Sequence, residues 1–452
     1  MKVLLISANP MTIPFPVYPV GLDYVAGAIA HRHEVRIADI NLTTNDDLST
    51  LIRAFKPDLI GVSLRNVDNT DIENPQTFIN DHRNLCHHIR QLTDVPLVLG
   101  GSGFTLFPDE ILTELKADFG IIGEGERLLQ LLDAIEAGTA PARIPGQIPG
   151  VILPGTPGRM PPPLSGNIQR TVTAADGHHR YYLEHGGMLN LQTKRGCPFR
   201  CVYCTYPYIE GRRMRLIPPA EVAGTAARLV EAGARYLFIT DSAFNADMTH
   251  SAEVARAFIR SGIHVPWGGF FAPIVPPRGY FRLLAEAGLT HVEFGTESLC
   301  NRVLKAYGKP FKAEDVQIAH QRAVAAGLYV AHYILLGGPG ETIDSLEETL
   351  TALDAFKQTV IFIFCGMRIY PHTPLYDLAC RQGQISPGQS LLDPVFYRPP
   401  GISPDRIIRH IHSHAEHHRN WIFTNGEDLS ATALPKLYQQ GFSGPLWEYL
   451  RK

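Results

Sequence analysis

Three of the chain's seven cysteines, Cys197, Cys201 and Cys204, fall within eight residues of the stretch "RGCPFRCVYCTYP". Thiolates are soft metal ligands, and thiols gathered this closely raise metal chemistry first. An iron–sulfur cube ordinarily takes four thiolates. Three from one loop leave one iron without a protein ligand, free to bind a small molecule. Gaps of three residues and then two wrap the loop around one face of such a [4Fe-4S] cluster, and Gly196 and Pro198 supply the bends. Structural zinc competes, but it takes four protein ligands in two pairs, and the other cysteines supply no second pair. Simple burial as small apolar side chains is the third possibility.

A loop that presents metal ligands needs a rigid support, and short β-branched runs alternating with amphipathic segments predict one: repeated βα units on parallel sheets, an α/β fold. The first series has strands at 2–7, 34–39, 59–63, 97–99 and 119–122 with helices between them. This pattern predicts a doubly wound, flavodoxin-like domain over residues 1–137. Residues 138–187 hold Pro141, Pro145, Pro149, Pro154, Pro157 and the run from Pro161 to Pro163, too many missing N–H groups for regular structure, and are expected to be a linker. A second series begins near Met188, with strands at 188–193, 236–240, 264–271, 291–296, 329–336 and 361–370. Six units are fewer than the eight that close a full barrel, so residues 188–382 are expected to form a partial barrel. Its chemistry belongs at the carboxyl ends of the strands, where the cysteines follow the first of them. Residues 383–452 are expected to be a helix-rich extension packed on the barrel.

Across 452 residues, 41 Lys and Arg against 44 Asp and Glu give a net charge of −3. No global field favours nucleic acid or an anionic membrane. No stretch reaches the roughly 18 apolar residues of a membrane span. An odd, mostly scattered set of cysteines is unlike a secreted disulfide framework, so the expected setting is reducing cytoplasm. The opening "MKVLLISANPM" reads as a buried strand and not a leader.

With CxxxCxxC on the loop after the first strand of a partial barrel, the second series resembles the radical S-adenosylmethionine (SAM) superfamily over about 188–374. In that family the open iron chelates SAM, and an electron from the cluster cleaves it to a 5′-deoxyadenosyl radical. Three further segments agree in order. "FITDSAFN" places Thr240, Asp241 and Ser242 where the family meets the methionine amino group. "EFGTES" places Glu297 and Ser298 where it contacts the ribose or amino acid. "ILLGGPGET" places Gly337 and Gly338 in the adenine-side turn. Each has a plainer reading, since an acidic or hydroxyl residue after a strand also caps helices, and glycines also make turns.

The front domain resembles the cobalamin-binding domain of many radical SAM methyltransferases. The resemblance implies a cofactor at the carboxyl ends of its strands, lined by Ser63, Leu64, Arg65, Asn66, Gly100, Gly101, Ser102, Gly103 and Thr105, with small residues letting a flat macrocycle approach. The DxHxxG motif of the water-soluble mutases is absent from residues 1–137, and Gly103 stands where relatives often carry histidine. The implied reaction is methyl transfer to an unactivated carbon or to phosphorus of a small molecule, fed by an external flavodoxin- or ferredoxin-type electron donor. An empty front domain with cyclisation, rearrangement or another group transfer is the alternative, and a non-enzymatic metal-binding protein is a third. In "HIHSHAEHHRNW", His410, His414 and His417 share a helical face with a spacing that could bind a divalent metal, although a polar helix face is the expected reading.

Overall fold

Runs such as "KVLLIS" and "LIGVS" bury residues on both faces, as strands covered by helices on either side must. The computed structural model describes residues 1–12, 15–164, 170, 178–416, 418–423 and 434–450. Its first sheet is built from β1 (Lys2–Ser7), β2 (Glu34–Asp39), β3 (Leu59–Ser63), β4 (Leu97–Gly100), β5 (Phe119–Ile121) and β6 (Val151–Ile152). The order is β2-β1-β3-β4-β5-β6. The first five strands are parallel in flavodoxin order, and β6 closes the edge antiparallel to β5.

The edge strand corrects one expectation. Residues 141–152, read as unstructured linker, fold as Pro141–Arg143, the helical turn Ile144–Gln147 and β6, with Ile144, Ile148 and Val151 buried in the first domain's core. Proline is tolerated in the first turn of a helix, where its missing donor has no intrahelical partner to lose, and Pro141 and Pro145 stand at the first and second positions of their turns. Much of the rest, 165–169 and 171–177, lies outside the described residues.

The second sheet comprises β7 (Met188–Leu191), β10 (Tyr236–Ile239), β11 (Trp267–Phe271), β12 (Leu289–Glu297), β13 (Tyr329–Leu336), β14 (Thr359–Cys365) and β17 (Trp421–Phe423). Two small ribbons, β8 (Lys194–Arg195) with β9 (Arg215–Leu216) and β15 (Met367–Arg368) with β16 (Phe396–Tyr397), flank it. The six expected strands are joined by a seventh, since β17 pairs parallel to β14. It comes from the extension expected to be helical, and a three-residue strand is too short to announce itself by periodicity.

Outward-facing side chains of this sheet are buried under helices, for example Trp267, Phe271, Val292 and Phe294. The two units share a further core, in which Leu64, Phe104 and Phe107 of the first meet Cys300, Tyr307, Met367 and Ile369 of the second. Buried ion pairs cross the same boundary: Asp68 with Arg368 at 3.0 Å, and Arg195 with Glu124 and Glu126 at 2.9 and 2.6 Å.

Gly101 shows why glycine occupies the turn after β4. Its φ is +101°, and a Cβ there would lie 2.5 Å from the Leu64 carbonyl oxygen. Gly103 is similarly close to the carbonyls of Arg65 and Leu64, at 3.0 and 3.1 Å. Both glycines therefore serve the fit of one loop against another, rather than only the approach of a ligand. Gly101→Ala is expected to destabilise the protein by roughly 1–3 kcal/mol from backbone strain, before the collision is counted. Urea unfolding would read it, and an unchanged midpoint would contradict the packing described.

Candidate active site at the meeting of two sheets

The carboxyl ends of both sheets face one cavity of about 490 Å³. Ser63, Arg65, Asn66, Gly100, Gly101, Ser102 and Gly103 wall it from the first sheet. Asn190, Gln192 and Thr240 wall it from the second, and Thr205 and Tyr206, directly after the third cysteine, complete it. Leu64 and Thr105, expected in this wall, are buried instead. Leu64 belongs to the shared core, while the Thr105 hydroxyl donates to the Gly101 carbonyl at 2.8 Å and accepts from the Gly123 amide at 3.0 Å.

Three features of this wall suit a large polar cofactor. Asn9 Oδ1 and Asn66 Oδ1 are buried without a hydrogen-bond partner, an expensive condition that a bound ligand relieves. The Arg65 side chain is exposed toward the cavity it lines and has no ion pair or hydrogen bond among the described residues. It leaves a charged donor free to meet an anionic group in that space.

The cysteine loop is clamped by backbone. The Cys197 amide donates to the Gly211 carbonyl at 3.0 Å, the Val202 amide to the Tyr307 carbonyl at 3.0 Å, and the Leu375 amide to the Val202 carbonyl at 2.9 Å. Gly196 and Gly308 have positive φ, and a Cβ on either would run into a carbonyl of the crossing strand. Burial raises the Cys201 thiol and pushes Cys204 up to about 12, so metal binding here displaces protons. Three thiolates on one tetrahedral zinc would have sulfurs about 3.8 Å apart, from a Zn–S bond of about 2.3 Å. Among the described residues the groups with ligand atoms all within 4.8 Å do not include this trio. The three sulfurs are therefore not gathered as a single zinc would hold them.

Strand-end residues divide into two kinds. Thr240 lines the cavity, and Ser242 Oγ is buried without a partner. Asp241 is spoken for: its carboxylate accepts from the Thr193 amide at 2.8 Å and from Lys194 Nζ at 2.7 Å, a buried ion pair that ties β10 to the cysteine strand. Ser298 is likewise spent, bonded to Thr349 Oγ1 at 2.9 Å and accepting from the Cys300 amide at 3.1 Å. These two expected contacts position the site and leave no free group for a ligand.

Glu297 is different. It has φ +65°, at an irregularity where β12 leaves the register of β13, a conformation that costs a non-glycine residue energy. Its Oε1 accepts from Tyr203 Oη at 2.7 Å and from Lys309 Nζ at 2.8 Å. Tyr203 lies between two of the cysteines, so Glu297 holds the metal loop through it. Sequence reading missed Lys309. Burial works against its ammonium, but Glu297 and Cys201 outweigh that and keep its pKa above the usual lysine range. In the turn after β13, Gly337 has φ +90° and a Cβ on Gly338 would sit 2.5 Å from the Tyr307 ring. Gly338 admits Tyr307, whose hydroxyl accepts from the Gly338 amide at 3.0 Å.

Inside the barrel the pattern departs from a filled core. Phe270 sits mid-strand on β11, facing inward against Phe238 and Tyr333, yet is 39% exposed. Tyr333, Phe362 and Phe364 stack beside it, all partly open. They form a partly open aromatic cluster. The C-terminal turn Trp447–Leu450 joins this cluster through Glu293: Trp447 Nε1 donates to Glu293 Oε1 at 3.0 Å, and Tyr333 Oη donates to Glu293 Oε2 at 2.9 Å.

Burial raises Glu293 to about 7. A carboxyl raised above its unfolded value of 4.5 leaves the fold most stable below that value, and stability declines as pH climbs from about 4.5 through 7. The loss is on the order of 3 kcal/mol for this one group. Glu293→Gln should flatten the decline, seen as denaturant midpoints at pH 5 and pH 8 that draw together. A decline as steep as in the parent protein would show that Glu293 is not its source.

Two family models match the chain: the Radical SAM superfamily over residues 191–353 and the B12 binding domain over 7–133. Tryptophan 2-C-methyltransferase of Streptomyces laurentii is 26% identical, with 81% of this chain and 73% of the relative aligned. Cytidylyl-2-hydroxyethylphosphonate methyltransferase of Streptomyces wedmorensis is 24% identical, over 86% and 84% respectively. A structure of the radical SAM methyltransferase TsrM from Kitasatospora setae, with cobalamin and a [4Fe-4S] cluster bound, superposes with a TM-score of 0.86 at 24% identity, covering 100% of this chain and 97% of that one. That likeness confirms the fold. No described helix is long and apolar enough to cross a membrane.

Proposed function

The chain belongs to the radical SAM enzymes that carry an N-terminal B12-binding domain, and from that membership we propose a cobalamin-dependent methyltransferase whose acceptor is an unactivated carbon of a small, planar, largely apolar molecule. The observation that carries it is the shared cavity: strand ends of the B12-binding sheet, strand ends of the barrel and the segment after the cysteines wall one space. A carrier of methyl groups and a source of radicals can work on one acceptor only if they face each other, and here they would. The named relatives act on tryptophan and on a cytidylyl phosphonate. The aromatic cluster beside the Glu293 carboxyl favours a carbon acceptor like the first, because a phosphonate needs cations and none stands among the described residues of that cluster.

In this reading Cys197, Cys201 and Cys204 hold the cluster, while Glu297, through Tyr203 and beside Lys309, fixes their loop. Thr240, Ser242 and the Gly337–Gly338 turn border SAM. Ser63, Arg65, Asn66 and the segment from Gly100 to Gly103 border cobalamin, and Arg65 answers its charge. When bound, these groups together supply one-electron reduction and methyl carriage. The chain supplies orientation and dryness: the shared core and crossing ion pairs seal the cavity's sides. Electrons would come from a flavodoxin- or ferredoxin-type donor.

Protein purified without oxygen and supplied with iron, sulfide and hydroxocobalamin tests this. Retained cobalamin absorbance, about four irons per chain, and methylation of flat aromatic acceptors such as tryptophan and indoles are expected. SAM cleaved to 5′-deoxyadenosine with no cobalamin retained would overturn the proposal in favour of a radical enzyme with an empty front domain.

A further inference from the structure

Away from the cavity, the helices Ile343–Leu353 and Pro404–Ala415 pack together on the barrel's outer side. The second buries Ile407 and Ile411 in the core, which leaves His410 and His414 on its flank. Their rings stand one turn apart with centroids 4.9 Å from each other. Both Nε2 atoms converge on one carboxylate of the neighbouring helix: His410 at 2.6 Å from Glu347 Oε2, and His414 at 3.5 Å from Glu347 Oε1. One ligand atom from each of the three residues lies within 4.8 Å of the others.

Hydrogen bonding selects the ring state. His414 Nδ1 is 3.2 Å from the His410 carbonyl oxygen, an acceptor only, so Nδ1 carries the proton. In the neutral ring, Nε2 then presents a lone pair to Glu347, which is how second-shell carbonyls orient metal-binding imidazoles. Without a cation, His414 can donate to Glu347 only as a charged imidazolium, while His410 can donate from a neutral Nε2–H. A single divalent ion satisfies all three at once.

We propose that Glu347, His410 and His414 form a divalent-metal site. Two imidazoles and a carboxylate, with remaining positions open to water, match the borderline ions Zn²⁺, Co²⁺ and Ni²⁺. Its donors are nitrogen and oxygen, so it is chemically distinct from the cysteine loop. Bound there, an ion ties the C-terminal extension to the barrel. His418, 3.0 Å from Asp354 near the ends of the same two helices, continues the contact, while His417 lies outside the described residues.

The test uses cluster-loaded full-length protein titrated with Zn²⁺ alone. One equivalent is expected to bind and raise the melting temperature. X-ray absorption at the zinc edge should show nitrogen and oxygen neighbours. The double variant His410→Ala, His414→Ala should lose that equivalent and the thermal shift while keeping its cysteine-bound iron. Glu347→Gln, which leaves the helices intact, should weaken binding at least tenfold. Equal zinc uptake by parent and Glu347→Gln, or sulfur neighbours at the zinc edge, overturns the assignment.

Discussion

Cys201→Ala is expected to lose the cluster and, with it, all methyl transfer, while the protein stays folded. Cys201 is the middle ligand of a loop whose path is held by its backbone, through the Val202 amide to Tyr307 and the Val202 carbonyl to Leu375. Removing one sulfur therefore leaves the loop in place but two thiols for a cube that has no fourth to borrow. The remaining cysteines, Cys86, Cys300, Cys365 and Cys380, lie elsewhere in the fold, and Cys86, Cys300 and Cys365 are buried. Iron per chain should fall to background after anaerobic reconstitution. Cobalamin should still bind, because its walls are untouched. Wild-type turnover in this variant would remove the basis of the proposed function.

The second large effect is on stability. Asp68 and Arg368 pair at 3.0 Å with both side chains almost wholly buried, 300 residues apart in sequence. Arg368 also donates to the carbonyls of Ile369 and Leu391, at 2.7 and 2.5 Å, and Tyr370 Oη donates to Asp68 at 3.4 Å. Asp68→Ala strands a guanidinium in the interface, and breaking a buried pair in this way costs about 3–5 kcal/mol. Adding Arg368→Met should restore much of the loss, because two apolar groups replace two charges. The exposed pair Arg83 with Glu114 is the control: its loss should cost under about 1 kcal/mol. Chemical denaturation of the parent protein and these three variants measures all of this. A small loss in Asp68→Ala, no larger than the control's, would mean that water reaches the pair.

These two cases also mark what a linear sequence discloses. The metal loop was legible because its ligands are local, three residue types at fixed spacing, and the sheets were legible because strand and helix periods repeat. Asp68 with Arg368, Lys309 with Glu297, and Lys194 with Asp241 were not, because nothing local says which charges will meet. Asp241 and Ser298 were expected to face a ligand. Position after a strand fixes where a side chain begins but not which way it turns, and both turned toward neighbouring strands and helices. Strands β6 and β17, two and three residues long, are paired by tertiary contact and have no pattern of their own. The aromatic cluster was hidden differently: Phe270, Tyr333 and Phe362 lie on separate strands, and nothing local in the sequence says that their rings will meet.

The late position of β17 and of the Trp447 turn has a consequence for biosynthesis. Parallel strand β14 keeps one edge unpaired, and Glu293 lacks its indole partner, until residues 421–447 have left the ribosome. For the time taken to translate that stretch, the nascent chain carries an open sheet margin of the kind that recruits other strands. Cotranslational chaperoning and early cofactor loading thus become matters of yield, and a nonsense codon shortly before Trp421 should give inclusion bodies instead of a weakened enzyme.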